Sequence, residues 1–364
     1  MLPVYRGVRR SLNVVYLSQV VKRSASGLCS SLTYDEYGDP EKVIKLKEEV
    51  IPKPEGKQVL VRMLAATVNP ADINTIQGVY AIKPPLPSIP GNEGVGEVIE
   101  VGSDVEGDIK PGCRVIPRLN AWGTWRTHAL ADYGDLIKIP SDIDLAMAAT
   151  IAVNPGTAYR MLKDFVPLST GDVVIQNGAN SAVGQAVIQI ASALGLRTVN
   201  VVRDRPGIDE LKQKLKDIGA TVVVTEGQLR KSEEVNSLPK PSLALNCVSG
   251  RSGTEVLRQL SSNGVMVTYG GMSRQPVTVP VGSLIFTNVS LKGFWMTRWN
   301  KEHYDHPKRQ QMLNDLFELV SHNKLKPPEY SYVPLENYLE AIRNAMPKDG
   351  MLSKKQILVF GNGK

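Results

Sequence analysis

Between residues 173 and 294, six short apolar runs alternate with longer segments, and no other feature of the chain constrains its fold as much. The runs are 173–176, 198–202, 221–225, 243–247, 265–269 and 289–294. Between the first two, Val187, Ile190, Ala191 and Leu194 recur at helical spacing. Strand-length runs separated by helix-length segments predict α/β architecture: an open, mostly parallel, doubly wound sheet of six strands.

The segment before it reads differently. Residues 35–150 are β-rich, with runs at 59–63 and 96–101 punctuated by Pro54-Glu55-Gly56, Pro90-Gly91 and Pro111-Gly112. A Pro-rich stretch, 81–91, has no helical pattern and is expected to be an ordered loop or lid. After residue 296 come a helix-like segment, 310–325, and a last strand, 356–360, expected to return to the first domain. Two domains suit a chain of 364 residues, and no internal repeat is visible.

The net charge is +7, from 43 Lys and Arg against 36 Asp and Glu. Its distribution argues against nucleic acid as a partner. Arg6, Arg9, Arg10, Lys22 and Arg23 all precede Asp35, the first acidic residue, and Ser11, Ser18, Ser24, Ser26, Ser30 and Ser31 lie among them. An Arg-bearing, Ser-rich, acid-free start has the composition of a mitochondrial transit peptide, placed at residues 1–30, with a basic tail as the alternative. No apolar run approaches the roughly 20 residues of a membrane span. The three cysteines, Cys29, Cys113 and Cys247, are too scattered for a disulfide framework or a clustered zinc site, which fits a reducing compartment such as the mitochondrial matrix.

The first β-run of the alternating region ends in Gln176-Asn177-Gly178-Ala179-Asn180-Ser181-Ala182-Val183-Gly184 and then opens a helix. Free backbone N–H groups and the positive helix end suit a pyrophosphate there, and small residues let the helix lie close to the strand. The three-glycine fingerprint is spelled only loosely, so the six-strand context carries the reading. The second run ends in Arg203-Asp204-Arg205. An acidic residue here reads the ribose 2′-hydroxyl of NAD, whereas guanidinium groups pair with a 2′-phosphate. Two arginines around one aspartate favour NADPH; a solvated basic loop is the alternative.

With Asn69-Pro70-Ala71-Asp72, Gly91-Asn92-Glu93-Gly94-Val95-Gly96 and residues 177–184, the chain resembles the medium-chain dehydrogenase/reductase superfamily. That resemblance implies a GroES-like β-rich catalytic domain, residues 31–153 and 296–364, plus a Rossmann domain at 154–295. In the zinc alcohol dehydrogenases of this superfamily a His holds the second position of the Gly-x-Glu-x-x-Gly element. Here it is Asn92, and His128, His303, His306 and His322 stand in no ligand motif, so no metal is expected. More specifically, NPADINTIQGVY at 69–80, GTWRT at 123–127, NPGTAYRML at 154–162, residues 186–205, Tyr269–Met272 and Gly293-Phe294-Trp295 resemble the mitochondrial trans-2-enoyl-thioester reductases, a zinc-free branch close to the quinone oxidoreductases.

The resemblance implies NADPH-dependent reduction of enoyl thioesters carried on acyl carrier protein or coenzyme A, with Tyr80 as the catalytic residue. It implies cofactor contacts from Asn154, Asn180, Ser181, Ala182, Val183, Arg203, Asp204, Arg205, Tyr269, Gly270, Gly271, Met272, Phe294, Trp295, Met296 and Lys355. Without the resemblance Tyr80 reads as packing, and Lys355 equally as a surface lysine. Trp122 and Trp125 are read as core rather than pocket wall, and residues 289–295 as the sheet edge of a homodimer. Two other readings stay open: a quinone or enone reductase on the same frame, and a nucleotide-binding partner protein without catalysis.

Overall fold

The computed structural model describes residues 25–346 and 354–361. Fifteen strands are described: β1 (Ala25–Tyr34), β2 (Ile44–Pro52), β3 (Gln58–Thr67), β4 (Gly94–Val101), β5 (Arg114–Pro117), β6 (His128–Asp132), β7 (Leu136–Ile139), β8 (Val173–Asn177), β9 (Arg197–Val202), β10 (Val222–Thr225), β11 (Leu243–Asn246), β12 (Val265–Thr268), β13 (Ser290–Gly293), β14 (Tyr330–Pro334) and β15 (Lys355–Val359). The helices that matter below are α1 (Pro70–Ile76), α2 (Asn154–Asp164), α3 (Ala182–Ala193), α4 (Ile208–Asp217), α5 (Gly250–Leu257), α6 (Met296–Glu302) and α7 (Pro307–Ser321).

Contacts divide the chain into two compact units. The first holds the described residues up to Ser141, Tyr332–Arg343 and those from Leu358 on; the second holds Asp142–Ser331 and the described residues from Asn344 to Ile357. In the first unit β1 and β2 form an antiparallel pair. The larger sheet runs β14-β15-β3-β4-β5-β7, and β6 also pairs with β3. Trp125 is fully buried, as a core residue should be, and its Nε1 donates to the Thr67 carbonyl at 3.0 Å. The Pro-rich stretch is an ordered loop: Ser88 exchanges backbone hydrogen bonds with Tyr34, and the Tyr37 hydroxyl donates to the Pro84 carbonyl at 2.6 Å.

The second unit is built on a six-stranded sheet of order β10-β9-β8-β11-β12-β13 with every pair parallel. Helices cover both faces, which is why the strands read as apolar runs. Val222 and Val224 pack with Val173, Ile175 and Val199 on one side, while Val223 packs with Ile188 and Leu215 of the helices on the other. The chain order of these strands places the topological switch at the carboxyl ends of β8 and β11.

Two boundaries differ from the sequence expectation. β1 begins at Ala25, inside the expected leader, and Cys29, placed in that leader, is 2% exposed in the core. Ser30, half-buried, and Ser31, buried, mimic leader composition because a strand tolerates serines on either face. The rest of the expected leader lies outside the described residues. Residues 296–331 were expected in the catalytic domain, yet their contacts group them with the second unit. The cause is packing on α2: the Met296 side chain lies against Gly156, the Arg160 guanidinium sits 4.7 Å from the Trp299 ring, and the Tyr159 hydroxyl donates to Asp315 of α7.

Candidate functional site

Three buried strands of the second unit end in, or carry near their ends, a side-chain amide, and these amides organise the crevice. Asn177 closes β8 with no exposed surface. Its Oδ1 accepts from the backbone N–H of Cys247 at 2.9 Å and of Val248 at 3.3 Å, while its Nδ2 donates to Asn246 Oδ1 at 2.8 Å. Asn246 in turn donates to Thr268 Oγ1 at 3.1 Å and accepts the Ser249 N–H at 3.0 Å. Gln176 Nε2 bridges the Gly184 carbonyl at 2.9 Å and Asn200 Oδ1 at 2.8 Å. Buried amides are stable when paired in this way, and only Gln176 Oε1 in this web lacks a partner among the described residues. The web ties β8, β9, β11 and β12 to the start of α3.

On that web sits the turn 178–181. Gly178 has φ +58°, and a Cβ there would stand 2.5 Å from Cys247 Sγ. A Cβ at Gly184 would stand 2.5 Å from the Ala179 carbonyl oxygen, so α3 lies directly on the turn. Ser181 caps α3, its Oγ accepting the Gly184 N–H at 3.1 Å. The first-turn amides of Ala182 and Val183 have no acceptor within the helix. An anionic group is the natural partner of such an end.

The sequence-expected residues lie at this turn, after the carboxyl ends of β9, β12 and β13, at the starts of α2 and α6, and at the start of β15. Arg203, Asp204 and Arg205 follow β9, with Arg203 and Asp204 exposed and Arg205 half-buried. Tyr269–Met272 follow β12: the Tyr269 N–H bonds to the Asn246 carbonyl and the Met272 N–H to the Cys247 carbonyl, both at 3.0 Å. Gly270 approaches the Cys247 backbone so closely that a Cβ would lie 3.1 Å from its carbonyl oxygen. The Tyr269 phenol is turned under the turn; burial, then the adjacent Cys247 thiol, pushes its pKa well above the ordinary value, with the Ser181 side chain opposing. Phe294 continues β13, its N–H on the Thr268 carbonyl at 3.0 Å and its ring edge-on to Phe165 at 6.0 Å. Trp295 precedes α6, and Met296, 5% exposed, opens it. Asn154 begins α2, two residues before the glycine that Met296 covers. It is 8% exposed and its Nδ2 has no partner among the described residues, a donor held ready for a carbonyl oxygen. Lys355 stands apart in the chain, opening β15 with its N–H on the Glu329 carbonyl at 2.7 Å.

The first unit builds a second polar web. Asn69 caps α1, its N–H donating to Asp72 Oδ2 at 2.7 Å. Asp72 Oδ1 accepts from Asn92 Nδ2 at 2.6 Å, and Asn92 Oδ1 accepts the Ala121 N–H at 3.0 Å. Glu93 Oε1 accepts from Thr67 Oγ1 at 3.0 Å and Asn69 Nδ2 at 2.9 Å. All five side chains are buried. From α1 the chain turns through Gly78 at φ +73°, where a Cβ would press on the Tyr37 side chain at 3.0 Å. The N–H groups of Val79 and Tyr80 both reach the Asn74 carbonyl, at 3.0 and 3.1 Å. Tyr80 is thus half-buried on a fixed turn. The histidines serve locally: His303 stacks on Trp299 at 4.2 Å, and His306 caps α7.

Comparison with known proteins places these features. Residues 55–141 match the alcohol dehydrogenase GroES-like domain and residues 182–312 the zinc-binding dehydrogenase model. The human mitochondrial enoyl-[acyl-carrier-protein] reductase is 52% identical over 333 residues, covering 91% of this chain and 88% of the relative. The chain belongs to this enoyl-[acyl-carrier-protein] reductase family. The family lies within the medium-chain dehydrogenase/reductase superfamily, and solved structures agree. The Etr1p/NADP/crotonyl-CoA complex superposes with a TM-score of 0.84 at 37% identity, covering 92% of this chain and all of that one. The Etr1p/Etr2p heterodimer of 2-enoyl thioester reductase from Candida tropicalis gives a TM-score of 0.84 at 36% identity and the same coverage. Zinc, named in the second family model, does not fit the side chains present. Asn92 is engaged at both ends of its amide, and among the described residues no three His, Cys, Asp or Glu groups gather as a ligand set.

Gln176 and Asn177 stand in the sequence only as the end of the first β-run and Asn246 carries no motif at all, yet these three amides brace the strand ends and the turn through one another. Their trace in the sequence is an amide closing an otherwise apolar run, in Val-Val-Ile-Gln-Asn and Leu-Ala-Leu-Asn.

Proposed function

We propose that this protein reduces trans-2-enoyl thioesters, carried on acyl carrier protein or coenzyme A, to saturated thioesters with NADPH in mitochondrial fatty-acid synthesis. The observation that carries the reading is the crevice: a turn closed to any Cβ, a free helix end, a guanidinium pair at the next strand and an unpartnered buried amide at Asn154. These residues fit a phosphorylated dinucleotide. The N–H groups of Ala182 and Val183 would hold its pyrophosphate, Arg203 and Arg205 its 2′-phosphate, and Asn154 its carboxamide. Asn180, Asp204, Gly270, Gly271, Met272, Phe294, Trp295, Met296 and Lys355 complete the proposed contact set. When bound, the cofactor supplies a hydride to the β-carbon of the enoyl group.

The protein's own part is then the charge that develops on the thioester oxygen and α-carbon. A phenol hydroxyl positioned beside it can donate to such an enolate. Tyr80 is proposed for this role: the Gly78 turn and the Asn74 carbonyl fix its backbone, and the buried Asn69–Asp72–Asn92 web fixes α1 behind it. Phe294, Trp295 and Met296 offer apolar wall to an acyl chain.

We further propose that the protein is a homodimer in the mitochondrial matrix. β13 is a sheet edge with all four residues exposed, Leu291 among them, and Phe286 nearby is 83% exposed. An unpaired edge flanked by apolar surface supports pairing with a second copy. The function is tested by kcat/KM for a 2-enoyl thioester against a small quinone. The thioester should be preferred; preference for the quinone rejects the reading, and an absence of NADPH oxidation with either leaves only nucleotide binding.

A further inference from the structure

Beside the crevice, beginning one residue past the Ser249 that bonds Asn246 and Gly270, the second unit carries a groove of about 460 Å³ along α5, lined by Arg251, Thr254, Glu255, Arg258, Gln275 and Thr278 among others. Its floor is fixed: the Thr254 hydroxyl donates to the Thr278 carbonyl at 2.7 Å, and the Gly250 N–H to the Gln275 carbonyl at 3.2 Å. Arg251 and Arg258 lie seven residues apart, two turns on one helix face, about 10 Å along its axis. Glu255 stands four residues after the first and three before the second, where a carboxylate would ordinarily neutralise either. It is already engaged. Arg230, from before α5, takes both oxygens, Nη2 meeting Oε1 at 2.8 Å and Nε meeting Oε2. Among the described residues no carboxylate pairs with Arg251 or Arg258, and both are exposed.

The groove therefore presents two uncompensated guanidinium groups at helical spacing. In the sequence these residues are dispersed at 230, 251 and 258 and form no basic run; the fold assembles them. We propose that this groove docks an acidic helix of the protein that carries the thioester, its carboxylates two turns apart meeting Arg251 and Arg258. The proposal rests on the enoyl-thioester reading above. A helix matches a ten-ångström pair better than a single anion does, and guanidinium–carboxylate pairs are bidentate and directional. Such a contact raises association rate and partner choice more than chemistry, and salt weakens it.

The test uses the full-length protein with NADPH and the Arg251→Glu/Arg258→Glu double variant, on one 2-enoyl chain in three forms: carrier-protein-bound, CoA-bound and attached to pantetheine. Expected is a rise of about tenfold or more in KM for the carrier-bound form, loss of its salt dependence, and unchanged kinetics with the other two. Arg251→Gln/Arg258→Gln, which removes charge without reversing it, should fall between, with the melting temperature checking that both variants fold. An unchanged carrier KM overturns the proposal. So does an equal loss with CoA, which would assign the arginines to its phosphates, or an equal loss with pantetheine, which would make them structural. A wild-type protein that reduces none of the three rejects the enoyl-thioester reading itself, and the docking site with it.

Discussion

Replacing Asn177 by alanine separates the framework of the crevice from the groups that touch ligand. The side chain is wholly buried, and its loss removes the acceptor for the Cys247 N–H at 2.9 Å and the longer contact to Val248 at 3.3 Å. A buried donor left unpaired costs roughly 1–3 kcal/mol. Asn246 Oδ1 keeps the Ser249 N–H as a partner, so the loss on that side is smaller. The total is about 2–4 kcal/mol, a fall of roughly 5–15 °C in melting temperature for a unit of this size. Cys247 also bounds the space above Gly178, so loosening it displaces the turn, and NADPH affinity should fall by about tenfold, on the order of 1.4 kcal/mol. Thermal melts by circular dichroism with and without NADPH, and a fluorescence titration, measure both quantities. Asn177→Ala/Asn246→Ala should lose less than the two single variants added together, because they share one hydrogen bond. Melting within about 2 °C of the wild type and an unchanged Kd would refute the claim that the amide web holds the site.

Three further outcomes are expected. Tyr80→Phe should lower kcat by about a hundredfold or more with little change in NADPH affinity, measured by stopped-flow oxidation; unaltered turnover removes Tyr80 from the chemistry. Arg203→Ala/Arg205→Ala should weaken NADPH far more than NADH, and equal losses in the two titrations would show that the loop does not read the 2′-phosphate. For His128, burial and then the Arg62 guanidinium hold the pKa below its ordinary value. The unfolded chain therefore takes up the proton first, so this contribution to stability is complete above about pH 6.5 and is lost as the pH falls below that. His128→Gln should flatten the decline of melting temperature in that acidic range; an unchanged slope would exclude the residue as its source.

Much of the second unit is legible in the sequence because a parallel sheet covered on both faces leaves little choice of residue. The run 173–176 is β8 short of one residue, and 221–225 is β10 with one residue too many. Elsewhere the chain compensates locally and hides its elements. The helix read at 310–325 begins at Pro307, since proline suits a first turn and His306 caps it, and it ends at Ser321 ahead of Asn323 at φ +57°. α6, at seven residues, carries too little periodicity to mark a helix in the sequence. The paired strands β1 and β2 were obscured by serines and by charges facing water. The residues around the candidate site came from motif likeness. What no motif conveys is which polar groups are satisfied: the idle amide of Asn154 and the fully engaged amide of Asn92 are the same residue type with opposite meanings.

The position of β15 beside β3 bears on how the chain acquires its structure. β3 is made early, yet one of its neighbours in the sheet, β15, comes from about 290 residues later in the chain, where the Phe360 N–H reaches the Leu64 carbonyl. The six parallel strands of the other unit lie in one uninterrupted stretch between them. During vectorial synthesis the nucleotide-binding half can condense while the part of the β3 edge beyond its pairing with β6 still waits, open, across about 300 residues of loop closure. Slow completion of the first unit, and its sensitivity to loss of β15, follow from that single strand order.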